Sequence, residues 1–198
     1  MGIAREHEPV LLVVGLFSNN PAAVDWAEHQ LTVRFGPIAD RGGPFEFSET
    51  SYYEEEMGGQ LRYHLLAFER LIRPEWLPEI KLLTNSLEHR AIRELQGASA
   101  ESKRVVNIDP GYLAAGKFVL ATTKDQAHRI YLGNGIFAEV TLSFRAGSFE
   151  PWPWTYPNYR RADYRDVLFR FRQKYMNERR TWLRQGKTPI PPAIDLLP

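Results

Sequence analysis

Hydrophobic positions in the first part of the chain follow two different periods. Residues 10–17 form a continuous apolar run, which favours a strand buried on both faces. Asn20 and Pro21 then supply an N-cap and a first-turn proline, and apolar residues recur at helical spacing from Val24 to Phe35. The pattern predicts a central strand followed by a helix that ends at Gly36.

Two more strands and a second helix are predicted before residue 96. Residues 44–48 alternate in polarity, and residues 61–71 follow the Gly58-Gly59 break, which indicates a long hairpin around the acidic stretch at residues 52–56. From residue 74 to about residue 95, apolar residues recur at steps of three and four, as in an amphipathic helix.

The second half of the chain has the pattern of an antiparallel meander. Strands are predicted at residues 105–108, 118–122, 129–132 and 136–142, with a tight turn at residues 133–135. A proline- and tryptophan-rich loop ends the sheet, and residues 163–184 form a helix. We therefore predict an α+β fold: a ferredoxin-like βαββαβ core extended by the meander and a C-terminal helix. It forms one domain, with residues 1–9 and 188–198 as tails.

Composition excludes several classes of protein. The 25 basic and 24 acidic residues give a formal charge of +1, which indicates no polyanionic partner for the chain as a whole. The absence of cysteine rules out disulfides and thiol nucleophiles and fits a cytoplasmic protein. The apolar run at residues 10–17 is too short to span a bilayer, so no membrane partner is expected. The oligomeric state stays open.

A formal phosphate-loop match occurs where Gly111 is followed by Gly116-Lys117. A true phosphate loop needs Ser or Thr after the lysine, to hold magnesium, and a helix whose N-terminal amides face the phosphate. Phe118 occupies that position, and residues 118–122 read as a strand. The match is therefore interpreted as a coincidence.

Titratable and polar residues are unusually dense between Asn107 and Tyr159. If the strands bring them to one face, carboxylates and cations could form a pocket for a small anionic or nucleotide-like ligand, with no cofactor indicated. The candidates for catalysis are Asp109, Lys124 and Glu139. The candidates for ligand binding are Asn107, Asp109, Lys117, Lys124, His128, Arg129, Thr155 and Tyr156. The histidines lack the spacing of a helical zinc pair, so no metal ligands are predicted.

A purely structural interpretation of the same residues stays open. Asp109-Pro110-Gly111 is typical of a turn, and the lysines would then meet solvent. Glu139 shares one strand face with Phe137 and Thr141, and alternation makes an exposed position the simpler assignment. Whether the chain is an enzyme is therefore left undecided.

The C-terminal segment supports a second hypothesis. Residues 160–187 contain ten basic and three acidic residues, a charge of +7, and follow Trp152, Trp154, Tyr156 and Tyr159. Aromatic side chains on which bases can stack, next to cations that neutralise phosphates, are typical of single-stranded RNA or DNA binding. One alternative is a surface helix whose arginines pair with the acidic stretch at residues 52–56 or meet solvent. Another is a non-catalytic assembly subunit.

Several short strings in one order resemble a prokaryotic family, domain of unknown function 4416. The resemblance spans residues 10–184 and implies a compact single-domain protein, but it carries no reaction, cofactor or catalytic residue. The strings are Tyr52-Tyr-Glu-Glu-Glu-Met-Gly58, Phe68-Glu-Arg-Leu-Ile72, Asn107-Ile-Asp-Pro-Gly-Tyr112, Val119-Leu-Ala-Thr-Thr-Lys124, His128-Arg-Ile-Tyr-Leu132 and Pro153-Trp-Thr-Tyr-Pro157.

Overall fold

The computed structural model describes residues 2–47, 53–96 and 104–186. The predicted tail at residues 188–198, residue 52 of the acidic stretch and residue 48 of the predicted strand lie outside these ranges. The elements are β1 (Val10–Ser18), α1 (Pro21–Phe35), β2 (Ile38–Glu46), α2 (Glu54–Met57), β3 (Arg62–Ile72), a 3-10 turn (Pro74–Trp76), α3 (Leu77–Gln96), β4 (Asn107–Ala114), β5 (Lys117–Thr122), β6 (Ile130–Gly133), β7 (Ile136–Arg145), β8 (Ser148–Pro151), α4 (Pro157–Arg160) and α5 (Ala162–Arg184).

All eight strands within the described ranges belong to one open antiparallel sheet, which confirms the α+β class. Its order is β2-β3-β1-β4-β5-β7-β6, and β8 pairs with β7. β1 is the predicted central strand, buried along its whole length and paired with β3 and β4. The order β2-β3-β1-β4 interleaves the two units β1-α1-β2 and β3-α3-β4. Among the described residues, no helix is long and apolar enough to cross a membrane.

The sheet is the middle of three layers. Alternating residues of β1, such as Leu12 and Leu16, pack with α1 and α3 on one face. The residues between them, such as Val13 and Phe17, pack with α5 on the other face. Because side chains on a strand alternate between the two faces, a run that is apolar throughout is buried on both.

Local signals correctly located several element ends. The Asn20 side chain accepts a hydrogen bond from the Ala22 amide at 3.0 Å, as an N-cap should. Asn134 and Gly135, with φ of 53° and 75°, form the tight turn between β6 and β7. The predicted turn at residues 109–111 is wrong. These residues lie inside β4, because pairing with β1 continues from Asn107 to Leu113.

Candidate functional site

The sheet divides beside Pro110. β4 and β5 pair only from Gly111 to Ala114 and from Lys117 to Leu120, and before Gly111 the two strands part. In a β-strand, the N–H and C=O groups of alternate residues point to the same edge of the strand. The backbone groups of Ile108, Pro110 and Tyr112 therefore all point towards the β5 edge of β4. Because proline has no N–H, Pro110 cannot donate a backbone hydrogen bond to β5, and the pairing of β4 with β5 ends beside it.

Two side chains of α3 make the backbone hydrogen bonds at Ile108 that β5 would otherwise make. Glu88 Oε1 accepts a hydrogen bond from the Ile108 amide at 2.7 Å. Lys81 Nζ donates to the Ile108 carbonyl oxygen at 3.1 Å. The backbone of β4 is therefore satisfied without β5, which leaves space between the two strands.

A cavity of about 520 Å³ occupies this gap, a volume in the range of small-molecule sites. Residues of α3 from one face of the sheet and of α4 from the other line it, because the sheet is divided here. Its lining residues are Phe17, Phe47, Tyr53, Tyr63, Lys81, Asn85, Glu88, Arg104, Asn107, Asp109, Leu120, Ala121, Thr122, Thr123, Lys124, Glu139, Tyr156, Pro157, Asn158 and Tyr159.

One wall of the cavity is a chain of polar side chains around Asp109. Lys81 Nζ donates to Asp109 Oδ1 at 2.8 Å, and Asn107 Nδ2 donates to Asp109 Oδ2 at 2.7 Å. Arg104 Nη1 donates to Asn107 Oδ1 at 2.5 Å. Both oxygens of a half-buried carboxylate are therefore held in place at the cavity surface.

Glu88 lies in the same wall and has a strongly shifted pKa. Burial raises the pKa of Glu88 from 4.5 to about 7, while the nearby charge of Lys81 opposes the rise. The folded state thus binds this proton more tightly than the unfolded chain does. The stability that this adds is complete below pH 4.5 and is lost as the pH rises through about 7.

Replacing Glu88 by glutamine is expected to flatten this pH dependence. Glutamine keeps an oxygen for the Ile108 amide but has no proton to lose. Between about pH 5 and pH 8, the wild type should lose about 2 kcal/mol more unfolding free energy than Glu88→Gln. Urea denaturation at a series of pH values measures this, with Glu94→Gln on the exposed part of α3 as the control. Parallel profiles for wild type and Glu88→Gln would contradict it.

The opposite wall contains a buried ion pair. Arg129 Nε donates to Glu139 Oε2 at 2.9 Å, and the two side chains are 2% and 1% exposed. His128 Nε2 lies 3.2 Å from the same oxygen, and Thr141 Oγ1 donates to Oε1 at 3.2 Å. The Arg129 guanidinium also donates to Tyr156 Oη at 2.8 Å and to the Lys124 carbonyl at 3.0 Å.

The expected exposure of Glu139 is therefore wrong, although its strand phase is right. It shares a face with Thr141, as predicted, and that face is covered by the loop after β8. Within this loop, Thr155 accepts a hydrogen bond from the Trp152 amide at 2.8 Å and donates to the Thr141 carbonyl. Thr155 thus fastens the loop to β7 and does not line the cavity.

Aromatic side chains close the third side. The hydroxyls of Tyr63 and Tyr159 lie 2.8 Å apart, and burial raises the pKa of both phenols. The rings of Phe17 and Phe47 stack at 4.7 Å. The site therefore joins neutral aromatic surface to a highly charged wall, as sites for amphipathic small molecules do.

Not all the predicted site residues meet. Asn107, Asp109, Lys124, Glu139 and Tyr156 line the cavity, whereas Arg129 and His128 support it through Glu139. The predicted convergence of Lys117 with them is wrong. It begins β5 at the β4–β5 turn and borders a separate groove with Arg5 and Tyr175.

The phosphate-loop match has no structural basis. Gly111 lies inside β4, and Gly116-Lys117 lies at the hairpin turn into β5, with no helix after it. This agrees with the interpretation of the match as a coincidence. Within the described ranges, no three His, Asp or Glu side chains are grouped as metal ligands.

Lys81, Glu88 and Arg104 were missed by sequence reasoning. Lys81 and Glu88 lie seven residues apart on α3, which places them on the same side of the helix. This spacing was the available signal, but polar residues in an amphipathic helix are ordinarily assigned to solvent. Arg104 comes just before β4 and offered no pattern.

Comparison with known families identifies a family and assigns no chemistry. The family described as Domain of unknown function (DUF4416) matches residues 8–175. The chain belongs to this family. The match includes all the cavity-lining residues of the DUF4416 chain. No curated protein matches the chain.

Proposed function

We propose that this DUF4416 protein binds a small nucleotide-like molecule, with a planar ring and an acidic group, in the cavity at the division of the sheet. The observation that supports this is the meeting of charged and aromatic walls around a space of about 520 Å³. Lys81 and Glu88 satisfy the backbone of Ile108, but the oxygens of Asp109 bond to the side chains of Lys81 and Asn107. Holding a carboxylate partly out of water costs stability, which favours a role for Asp109 in binding.

The acidic group of the ligand is assigned to Arg104 and Lys124. Arginine presents a planar fork of donors that matches carboxylate and phosphate, and lysine adds a mobile charge. Lys124 is exposed and lines the cavity, and Arg104 is half-buried in the opposite wall. The ring of the ligand is assigned to the apolar side, near Phe17 and Tyr63.

Asp109 is the group that we assign to proton transfer if the bound molecule reacts. Its two oxygens are oriented by Lys81 and Asn107, and it faces the cavity. A general base must be held within hydrogen-bond reach of the ligand, and the fixed position of this carboxylate at the cavity surface supports that role.

Binding is tested by calorimetric titration with AMP, GMP, CMP and UMP, using the matching nucleosides as ligands without phosphate. We expect at least one nucleotide to bind in the micromolar range and its nucleoside to bind at least about tenfold more weakly, a difference of about 1.4 kcal/mol. Arg104→Gln and Lys124→Gln should each weaken nucleotide binding by a similar factor.

Lys117→Gln is the matched control, because Lys117 has the same charge but lies outside the cavity. It should bind the nucleotide as the wild type does. Two results would refute the proposal: no saturable binding of any of the four nucleotides, or equal affinity in all three variants. Circular dichroism checks that each variant is folded.

The single-stranded nucleic-acid alternative has less support. Arg170 and Lys174 of α5 both contact Asp40, and Arg179 pairs with Glu8. The rings of Trp152 and Trp154 stack on each other at 5.2 Å. A fluorescent oligouridine titrated at low and high salt tests this alternative, and tight binding that weakens steeply with salt would favour it.

A further inference from the structure

Exposed apolar side chains are concentrated at one end of the sheet. Of the eight large exposed hydrophobic residues among those described, five lie in β6 and the loop after β8. Ile130 and Tyr131 are 70% and 60% exposed. We call these five the β6 patch: Ile130, Tyr131, Leu132, Trp154 and Tyr156. Exposed apolar residues are ordinary when scattered, but a group of them marks a contact surface.

Contacts between the two segments make the β6 patch a single surface. The ring of Trp154 stacks on His128 at 5.2 Å, two residues before β6. The hydroxyl of Tyr156 accepts a hydrogen bond from Arg129, the residue just before β6. Tyrosine and tryptophan are also the residues most enriched in the centres of protein interfaces.

β6 ends the sheet, with β7 on one side and none of the described strands on the other. The opposite end, β2, is closed by α5. Arg170 Nη2 donates to the Arg41 carbonyl at 2.7 Å, and Lys174 Nζ donates to the Ala39 carbonyl at 2.9 Å. Side chains that occupy edge carbonyls prevent another strand from pairing there. Within the described residues, no comparable side-chain hydrogen bond to a β6 carbonyl is seen.

We propose that the β6 patch is a two-fold interface with a second copy of this chain. A two-fold axis places a surface against itself, so a charged surface would repel its own copy. Residues 130–138 contain no charged residue, and Arg129 and Glu139 beside them are paired with each other. β2 is closed by α5, and in β8, the other strand paired on one side, the Phe149 carbonyl accepts a hydrogen bond from Arg165. We therefore place β6 of one copy against β6 of another, which gives a closed dimer.

The contact is carried mainly by side chains. An axis passing by Tyr131 sets Ile130 opposite the partner's Leu132, an apolar pair across the interface. The irregular pairing between Tyr131 and Gly133 shortens the straight part of the edge, so a long backbone ladder does not form. Trp154 and Tyr156 extend the contact beyond the strand.

Sedimentation equilibrium from low to high micromolar concentration tests the interface. The wild type should reach twice the chain mass of 22.9 kDa. Tyr131→Lys should raise the dissociation constant at least about tenfold, because lysine at an edge opposes pairing. Leu132→Lys is the second variant, since Tyr131 also contacts Phe137 and its replacement affects the fold more.

Val33→Lys is the matched control, an exposed apolar residue on α1 that lies outside the β6 patch. It should dimerise as the wild type does. The proposal is overturned if the wild type stays monomeric at the highest concentration, or if Tyr131→Lys and Leu132→Lys dimerise as tightly as Val33→Lys. The proposal does not depend on ligand binding, so its failure leaves the nucleotide titrations unaffected.

Discussion

Replacing Arg129 by methionine is expected to lower the free energy of unfolding by about 3–5 kcal/mol. The substitution leaves the carboxylate of Glu139 buried, with His128 and Thr141 as its remaining polar contacts. Losing one partner of a buried ion pair is costly because the other charge stays out of water. The lost bonds to Tyr156 and to the Lys124 carbonyl add to the loss. Urea denaturation near neutral pH measures it.

The control for this substitution is Arg41→Met, which removes an exposed arginine paired with Glu28. Surface pairs of this kind contribute at most about 1 kcal/mol. Adding Glu139→Gln to Arg129→Met removes the stranded charge and should restore part of the stability. If Arg129→Met lowered the free energy of unfolding no more than Arg41→Met does, the Arg129–Glu139 ion pair would not stabilise the fold in this way.

Replacing Gly111 by alanine is expected to cost about 3 kcal/mol. A Cβ at this position would lie 2.3 Å from the Val119 carbonyl oxygen and 2.9 Å from Leu120 Cδ2. Alanine is intrinsically better than glycine in a strand, but only by about 0.5–1 kcal/mol. The clash is with the backbone of β5, which cannot move aside as a flexible side chain can. Steric cost therefore outweighs backbone preference.

Gly116 in the same hairpin is the matched control. A Cβ there has no heavy atom within 4 Å, so Gly116→Ala should change stability by less than about 1 kcal/mol. Thermal unfolding of both variants, followed by circular dichroism, makes the comparison. Equal melting temperatures for the two variants would contradict the close approach of β4 and β5 at Gly111.

Elements specified by local patterns were predictable from the sequence. The α1 helix has its cap, its proline and its apolar spacing within sixteen residues, and the signals agree. β4 was predicted too short because Asp109-Pro110-Gly111 has the composition of a turn. Pairing with β1, which is distant in sequence, keeps those residues extended. Tertiary pairing therefore outweighed local preference.

The site was only partly predictable for a similar reason. Strand alternation gave the correct face for Glu139, but its burial depends on a loop that follows β8. No periodicity indicates where such a loop will lie. Lys81 and Glu88 show the same limit. Their polar side chains bond to the backbone of Ile108, which lies twenty or more residues away in the sequence, so no local pattern reveals their role.

The short β4–β5 ladder has a mechanical consequence. Only four residue pairs, from Gly111–Leu120 to Ala114–Lys117, join the two halves of the sheet through backbone hydrogen bonding. If one half of the sheet twists against the other, this short β4–β5 ladder, which we call the seam, is where the strands would move. The longer ladders of β1 with β3 and β4 would stay intact. Because the cavity opens where the seam ends, such a twist would change its width first.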